Sequence, residues 1–163
     1  MLVTFLDIDG VLNTGNYMEY QWIQNGRTHK GITRPFDYNF DPKCMKNFKH
    51  FLKVTDSKIV VSSTWRMGYM PPVDEQWLVL MENLKTIGAD ERFIGITPII
   101  KHKRGKEIQY WLEHTEHDVE NFVIIDDDAF DIVEEFPDKI AKCKFKTGFT
   151  NSVKKKALKI IGF

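Results

Sequence analysis

Two aspartates stand two residues apart near the start of the chain, in Asp7-Ile8-Asp9-Gly10. Side chains at i and i+2 of an extended backbone point the same way, so the two carboxylates share a face. Like charges that close repel, and a divalent cation relieves the repulsion. A third carboxylate from another segment, such as Asp127 in Asp126-Asp127-Asp128, would complete a hard oxygen site with waters and a substrate phosphate oxygen. Mg²⁺ prefers such half-protein sites. One carboxylate of the pair can then attack phosphorus, while the other protonates the leaving oxygen and later activates water. Gly10 lets the chain turn sharply beside the ligand. Ser62-Ser63-Thr64-Trp65-Arg66 brings hydroxyls and a cation for the non-bridging oxygens, where transition-state charge must be stabilised. The chemistry this suits is phosphoryl transfer.

Each of these groups follows a short β-rich apolar run: Leu2-Val3-Thr4-Phe5-Leu6, Lys58-Ile59-Val60-Val61 and Asn121-Phe122-Val123-Ile124-Ile125. None shows clean polar alternation, the mark of strands buried on both faces of a parallel sheet. Residues 92–96 and 140–145 are weaker strand candidates. Between them lie helical patterns. Asp41 can cap a helix with Pro42 in its first turn and Met45, Phe48, Phe51 and Leu52 on one face. Asp74 can start another, with Gly88 as its stop. Residues 105–114, 129–136 and a segment capped by Thr150 or Ser152 give three more. Alternating strands and helices predict an α/β fold: a Rossmann-like open, mainly parallel sheet of about five strands with helices on both faces. Ligands bind outside the carboxyl ends of such strands, where all three polar groups fall.

The narrower patterns resemble a known family. Phe5-Leu6-Asp7-Ile8-Asp9-Gly10-Val11-Leu12-Asn13 resembles motif I of the haloacid-dehalogenase (HAD) superfamily, hhhDxDGxh. The resemblance implies Asp7 as nucleophile and Asp9 as general acid/base, with the Asp9 main-chain carbonyl also on Mg²⁺. Val60-Val61-Ser62-Ser63-Thr64-Trp65-Arg66 resembles motif II, with the phosphate-binding hydroxyl at Ser63 and Ser62 as the alternative. Arg104-Gly105-Lys106-Glu107-Ile108 resembles motif III, a cation opening a helix. Register selects Arg104, where most members carry Lys, and Lys103 and Lys106 compete for the place. Val123-Ile124-Ile125-Asp126-Asp127 resembles motif IV, with Asp127 on Mg²⁺ and Asp126 supporting it, and Asp131 matches the weaker final acid. Phe40-Asp41-Pro42, Ser63-Thr64-Trp65-Arg66 and Gly148-Phe149-Thr150 look like the HAD branch found in Swiss Army knife RNA-repair proteins. The resemblance implies a phosphatase with Asp7, Asp9 and Asp127 at the metal, Gly10, Ser63 and Arg104 at the substrate phosphate, and Asp126 and Arg66 in support.

The remaining features narrow the partners. The 163 residues fit one domain. Equal numbers of acidic and basic side chains, 23 of each, argue against a non-specific nucleic-acid coat protein. Cys44 and Cys143 form no CxxC pair, and the apolar run at 2–6 is too short for a membrane span or signal core. A reducing, cytoplasmic setting is expected, with no membrane partner. Residues 14–40 resist the strand–helix alternation and read as a flap-like insertion too short for a large cap domain. Tyr17, Tyr20, Trp22, Phe36, Tyr38 and Phe40 are interleaved there with Arg27, His29, Lys30 and Arg34. Such a mixture can stack bases and grip phosphates, or can form the small core of a flap. Residues 67–73 read as a second loop. Trp65 reads as core, and Arg66 as reaching either substrate or a motif IV acid. His114 and His117 lack a third ligand nearby, and the lysines of 154–159 suit a solvated helix face. An open site admits bulky substrates, such as polynucleotide ends or phosphoproteins, and the sequence leaves two substrate classes open: the phosphate of a nucleotide or nucleic-acid end, and a small phosphorylated metabolite. Two rivals remain: a receiver-like phosphoacceptor module and a catalytically silent nucleic-acid-binding relative.

Overall fold

The computed structural model describes residues 1–26 and 39–163. Its strands are β1 (Leu2–Leu6), β2 (Lys58–Val61), β3 (Phe93–Ile96), β4 (Asn121–Asp126) and β5 (Ile140–Lys142). They form one open sheet in the order β3-β2-β1-β4-β5, with every neighbouring pair parallel. The three apolar runs take the three central places. Alternate residues of each feed opposite layers: Leu6, Ile59, Val61, Val123 and Ile125 join one core, and Val3, Phe5, Val60 and Ile124 the other.

The larger core is closed by α2 (Pro42–Thr55), α3 (Glu75–Lys85) and α6 (Asn151–Ile161). Asp41, Asp74 and Thr150 cap these helices by accepting from main-chain N–H groups of the first turn. On the other face lie α4 (Arg104–His114) and the short α5 (Ile132–Glu135). This last helix is shorter than the 129–136 pattern predicts. Asp128 N–H donates to the Asp126 carboxylate and Phe130 N–H to the Asp128 carboxylate, so side chains hold the chain in a turn there. Part of the expected 67–73 loop is also regular, a 3₁₀ helix over Thr64–Tyr69 capped by Ser63.

The first part of the 14–40 segment forms a helix, α1 (Gly15–Gln24), capped by Thr14. None of its residues is fully buried, so the period that reveals core-facing helices is missing from its sequence. Gln21 exchanges two hydrogen bonds with the main chain of Asn39, which ties both ends of the segment together. Arg27, His29, Lys30, Arg34, Phe36 and Tyr38 lie outside the described residues. Among the described residues no helix is long and apolar enough to cross a membrane.

The strand order sets the site's position. From β1 the chain builds outward through β2 and β3, then crosses back to lay β4 on the other side of β1. Connections leave in opposite directions at that switch point, which opens a crevice beyond the carboxyl ends of β1 and β4.

Candidate active site

Asp7 follows the last residue of β1, and its N–H donates to the Ile125 carbonyl of β4 at 3.0 Å. This bond sets Asp7 beside Asp126, and Asp127 follows. Carboxylate oxygens of Asp7, Asp126 and Asp127 come within 4.8 Å of one another. Gly10 makes the third member possible. It sits at φ +71°, and a β-carbon there would collide with the Asp127 carboxylate. Behind Gly10, the Ile8 carbonyl accepts the N–H groups of Val11, Leu12 and Asn13, which closes the turn after the strand.

A cavity of about 270 Å³ opens over this cluster. Asp7, Asp9, Thr64, Arg104, Asp127, Asp128 and Asp131 line it, with His102 and Phe145 at its sides. Five carboxylates therefore face Arg104 as the one permanent cation on the described wall. Burial raises Asp7 above the ordinary carboxyl range, against the pull of Arg104 and a hydrogen bond from the Ser63 hydroxyl. Burial, with the Asp7 charge, pushes Asp126 up to about 7. Asp127 is raised as well, again chiefly by burial. Crowded, desolvated carboxylates with few cations fit a hard divalent ion, whose charge would supply what the protein leaves uncompensated.

The cation comes from α4. Arg104 Nη1 lies 2.5 Å from Asp126 Oδ2 and 3.4 Å from Asp7 Oδ1. Burial alone would lower it, but the Asp126 and Asp7 charges outweigh burial and keep the guanidinium protonated. Of its competitors, Lys106 pairs with Glu135 at 2.6 Å, and Lys103 is the exposed N-cap residue of α4. Gly105 N–H donates to Asp131 Oδ2 at 3.0 Å, so the final acid fastens the start of this helix.

Asp9 takes a different position from its neighbours. Its Oδ2 accepts from Trp65 Nε1 at 2.9 Å and its Oδ1 from Asn13 Nδ2 at 2.8 Å. Its carboxylate reaches the cavity wall braced at both oxygens, outside the three-acid cluster. Of the two serines, Ser63 accepts from Trp65 N–H and its hydroxyl acts to lower Asp7, whereas the Ser62 hydroxyl is buried without a hydrogen-bond partner among the described residues.

Arg66 pairs with Glu107 rather than with a motif IV acid, and it does not line the cavity. It is 4% exposed and its Nη2 pairs with Glu107 Oε2 at 2.6 Å, while Glu107 is 1% exposed. The same guanidinium donates to the carbonyls of Ser62, Ser63, Thr97 and Pro98. The remaining Glu107 oxygen accepts from Ile100 N–H at 2.9 Å. The pair thus ties the ends of β2 and β3 to α4, one turn from Arg104.

Sequence reasoning gives no individual role to Thr64, His102, Asp128 and Phe145 on the wall, or to Asn13 and Glu107 behind it. Glu107 carried a usable signal: an acid beside Ile108 on the apolar side of a helix needs a buried partner. His102 and Phe145 carried none, since only the tertiary fold brings their loops to the cavity.

Neither a curated protein nor a solved structure matches the chain. A family model described as the HAD domain in Swiss Army Knife RNA repair proteins matches residues 3–153. That span holds all four motif regions and the sheet save the first residue of β1, and the chain belongs to this HAD family.

Proposed function

We propose that the protein is a Mg²⁺-dependent phosphomonoesterase that works through an aspartyl-phosphate on Asp7, with phosphorylated nucleotide or nucleic-acid ends as substrates. One observation carries the reading. Acids from the ends of two adjacent strands converge on one cavity, with Arg104 in ion-pair reach of the foremost of them.

The carboxylates of Asp7 and Asp127 and the main-chain carbonyl of Asp9 would hold the metal, with Asp126 in support. Mg²⁺ supplies positive charge to the phosphoryl oxygens. Arg104 and Ser63 bind the substrate phosphate, and Gly10 keeps the approach clear. An Asp7 oxygen attacks phosphorus as the ester P–O bond breaks, and Asp9 delivers its proton to the leaving oxygen. Asp9, now a carboxylate, takes a proton from water. That water attacks the acyl phosphate, releasing inorganic phosphate and restoring Asp7. Trp65 and Asn13 orient Asp9 for both transfers. The described start of the 14–40 segment, α1, serves as part of a flap beside this site.

The test is turnover of p-nitrophenyl phosphate and of 3′- and 5′-phosphorylated oligonucleotides with Mg²⁺. Asp7→Asn should reduce both by roughly 10³-fold or more while the melting temperature holds. Undiminished turnover in that variant refutes the reading. A lasting aspartyl-phosphate without turnover would instead favour a receiver-like module. Tight RNA binding without phosphate release would favour a silent binder, and turnover confined to sugar phosphates a metabolite enzyme.

A further inference from the structure

A second cavity, of about 750 Å³, lies between α1, the first turn of α2 and the approach to α6. It adjoins the catalytic cavity through two consecutive residues: Phe145 lines the first and Lys146 the second. The Phe145 ring packs so closely on Gly15 that a β-carbon there would stand 2.8 Å from Cε1. Gly15 and Asn16 N–H groups donate to the carbonyls of Phe145 and Lys146, at 3.0 and 3.1 Å. The start of α1 is thereby fixed along the partition between the cavities.

The lining has its own chemistry. Tyr17 and Tyr20 stack with centroids 5.8 Å apart and planes 22° from parallel, and both face the cavity. Lys43 and Lys146 supply cations, and Asn151 and Asn47 supply amides. The N-terminal donors of α2 are already satisfied, with Asp41 accepting from Lys43 and Cys44 N–H, and at α6 Thr150 accepts from Val153 N–H. The Cys44 thiol is pushed up to about 12 by burial, so it supplies no nucleophile. What remains is a platform of rings with lysines at its edge, in a volume typical of small-molecule pockets. Flat π-faces beside cations recognise a nucleobase joined to a phosphodiester.

We propose that this cavity is a nucleoside subsite, which takes the base and sugar next to the phosphate held at Asp7. Tyr17 and Tyr20 stack on the base, and Lys43 and Lys146 pair with the adjoining backbone phosphate. The substrate is then a single-stranded polynucleotide end. This inference rests on the phosphomonoesterase reading of the Asp7 site.

Steady-state kinetics of the full chain with Mg²⁺ tests it, comparing a short single-stranded RNA bearing a terminal phosphate with p-nitrophenyl phosphate. Tyr17→Ala/Tyr20→Ala should raise KM for the RNA roughly tenfold and leave p-nitrophenyl phosphate kinetics unchanged. Tyr17→Phe/Tyr20→Phe, which keeps the rings, should retain the wild-type KM. An unchanged KM for RNA, or equal losses on both substrates, overturns the subsite. Fluorescence anisotropy with a labelled RNA separates this failure from failure of the enzymatic reading. Should the wild type release no phosphate, the alanine pair should still weaken RNA binding about tenfold. Equal binding by the two proteins, or no binding by the wild type, overturns the proposal.

Discussion

Glu107→Gln perturbs the buried pair that ties three elements together behind the site. The substitution keeps the shape of the side chain and removes its charge. The new amide oxygen can still accept from Ile100 N–H, but the amide nitrogen then faces the Arg66 guanidinium, donor against donor. Removing one partner of a buried ion pair costs about 3–5 kcal/mol, because the other charge stays desolvated. Arg66 retains four main-chain carbonyl acceptors, which places the cost near the lower end of that range, at about 3 kcal/mol. In a domain of this length each kcal/mol moves Tm by roughly 2–4 °C, so Tm should fall by about 6–12 °C. Function should fall further than stability accounts for. Glu107 stands one turn from Arg104, and small displacements of a positioning group are costly, so kcat/KM should drop at least about tenfold at temperatures where the variant is fully folded. The double variant Arg66→Met/Glu107→Leu removes both charges but leaves four carbonyls and the Ile100 N–H without their side-chain partners, so it should recover neither Tm nor kcat/KM. Thermal melts and phosphatase kinetics on the three proteins decide it. A Glu107→Gln variant that melts within about 2 °C of the wild type would refute the reasoning, since a pair so cheaply broken is neither buried nor coupled.

Gly10→Ala forces a left-handed backbone on alanine and drives its β-carbon into Asp127. Mg²⁺ affinity, measured calorimetrically, should weaken at least about tenfold, with only a modest loss of Tm. Burial raises Asp7 and Asp127 and pushes Asp126 to about 7, whereas the unfolded chain releases these protons near 3.8. Metal-free stability should therefore fall as pH rises between about 4 and 7, and the gain in Tm on adding Mg²⁺, which needs ionised carboxylates, should grow over the same range. A pH-independent gain in scanning fluorimetry would count against the acidic cluster as the metal site. Trp65→Phe keeps an aromatic ring in the core and deletes the donor to Asp9, so kcat should fall roughly tenfold with KM unchanged.

The elements that reveal themselves in the sequence are those with a local cause. Three unalternating apolar runs become the three central strands because burial on both faces leaves no solvent-facing row of polar positions. Asp41, Asp74 and Thr150 mark helix starts because a cap is a bond across two or three residues. α1 hides because it buries no face, and α5 is overread because Asp126 and Asp128 compete for the N–H groups that a longer helix would use.

The site divides along the same line. Asp7, Gly10 and Asp127 are legible because strand ends carry them to the crevice, and the pairing of β1 with β4 does the rest. Arg66 with Glu107 and Trp65 with Asp9 are 41 and 56 positions apart, and nothing local joins them. Arg104 shows what geometry adds where register leaves a choice open: it pairs with Asp126 and Asp7, and Lys106 does not. Lys106 lies two residues on, about 200° around the helix, and so faces Glu135 on the far side. Arginine also suits the place better than lysine would. Among the described residues Nη1 is the atom that pairs with Asp126 and reaches toward Asp7, so under the proposed function Nη2 and Nε would be left for a planar, two-point grip on phosphate. An ammonium held by Asp126 would have only its other protons on that same single atom to offer. Where the HAD pattern usually carries Lys, this chain carries a residue that pairs with its acids and, under the proposed function, would still have a second donor edge for the substrate.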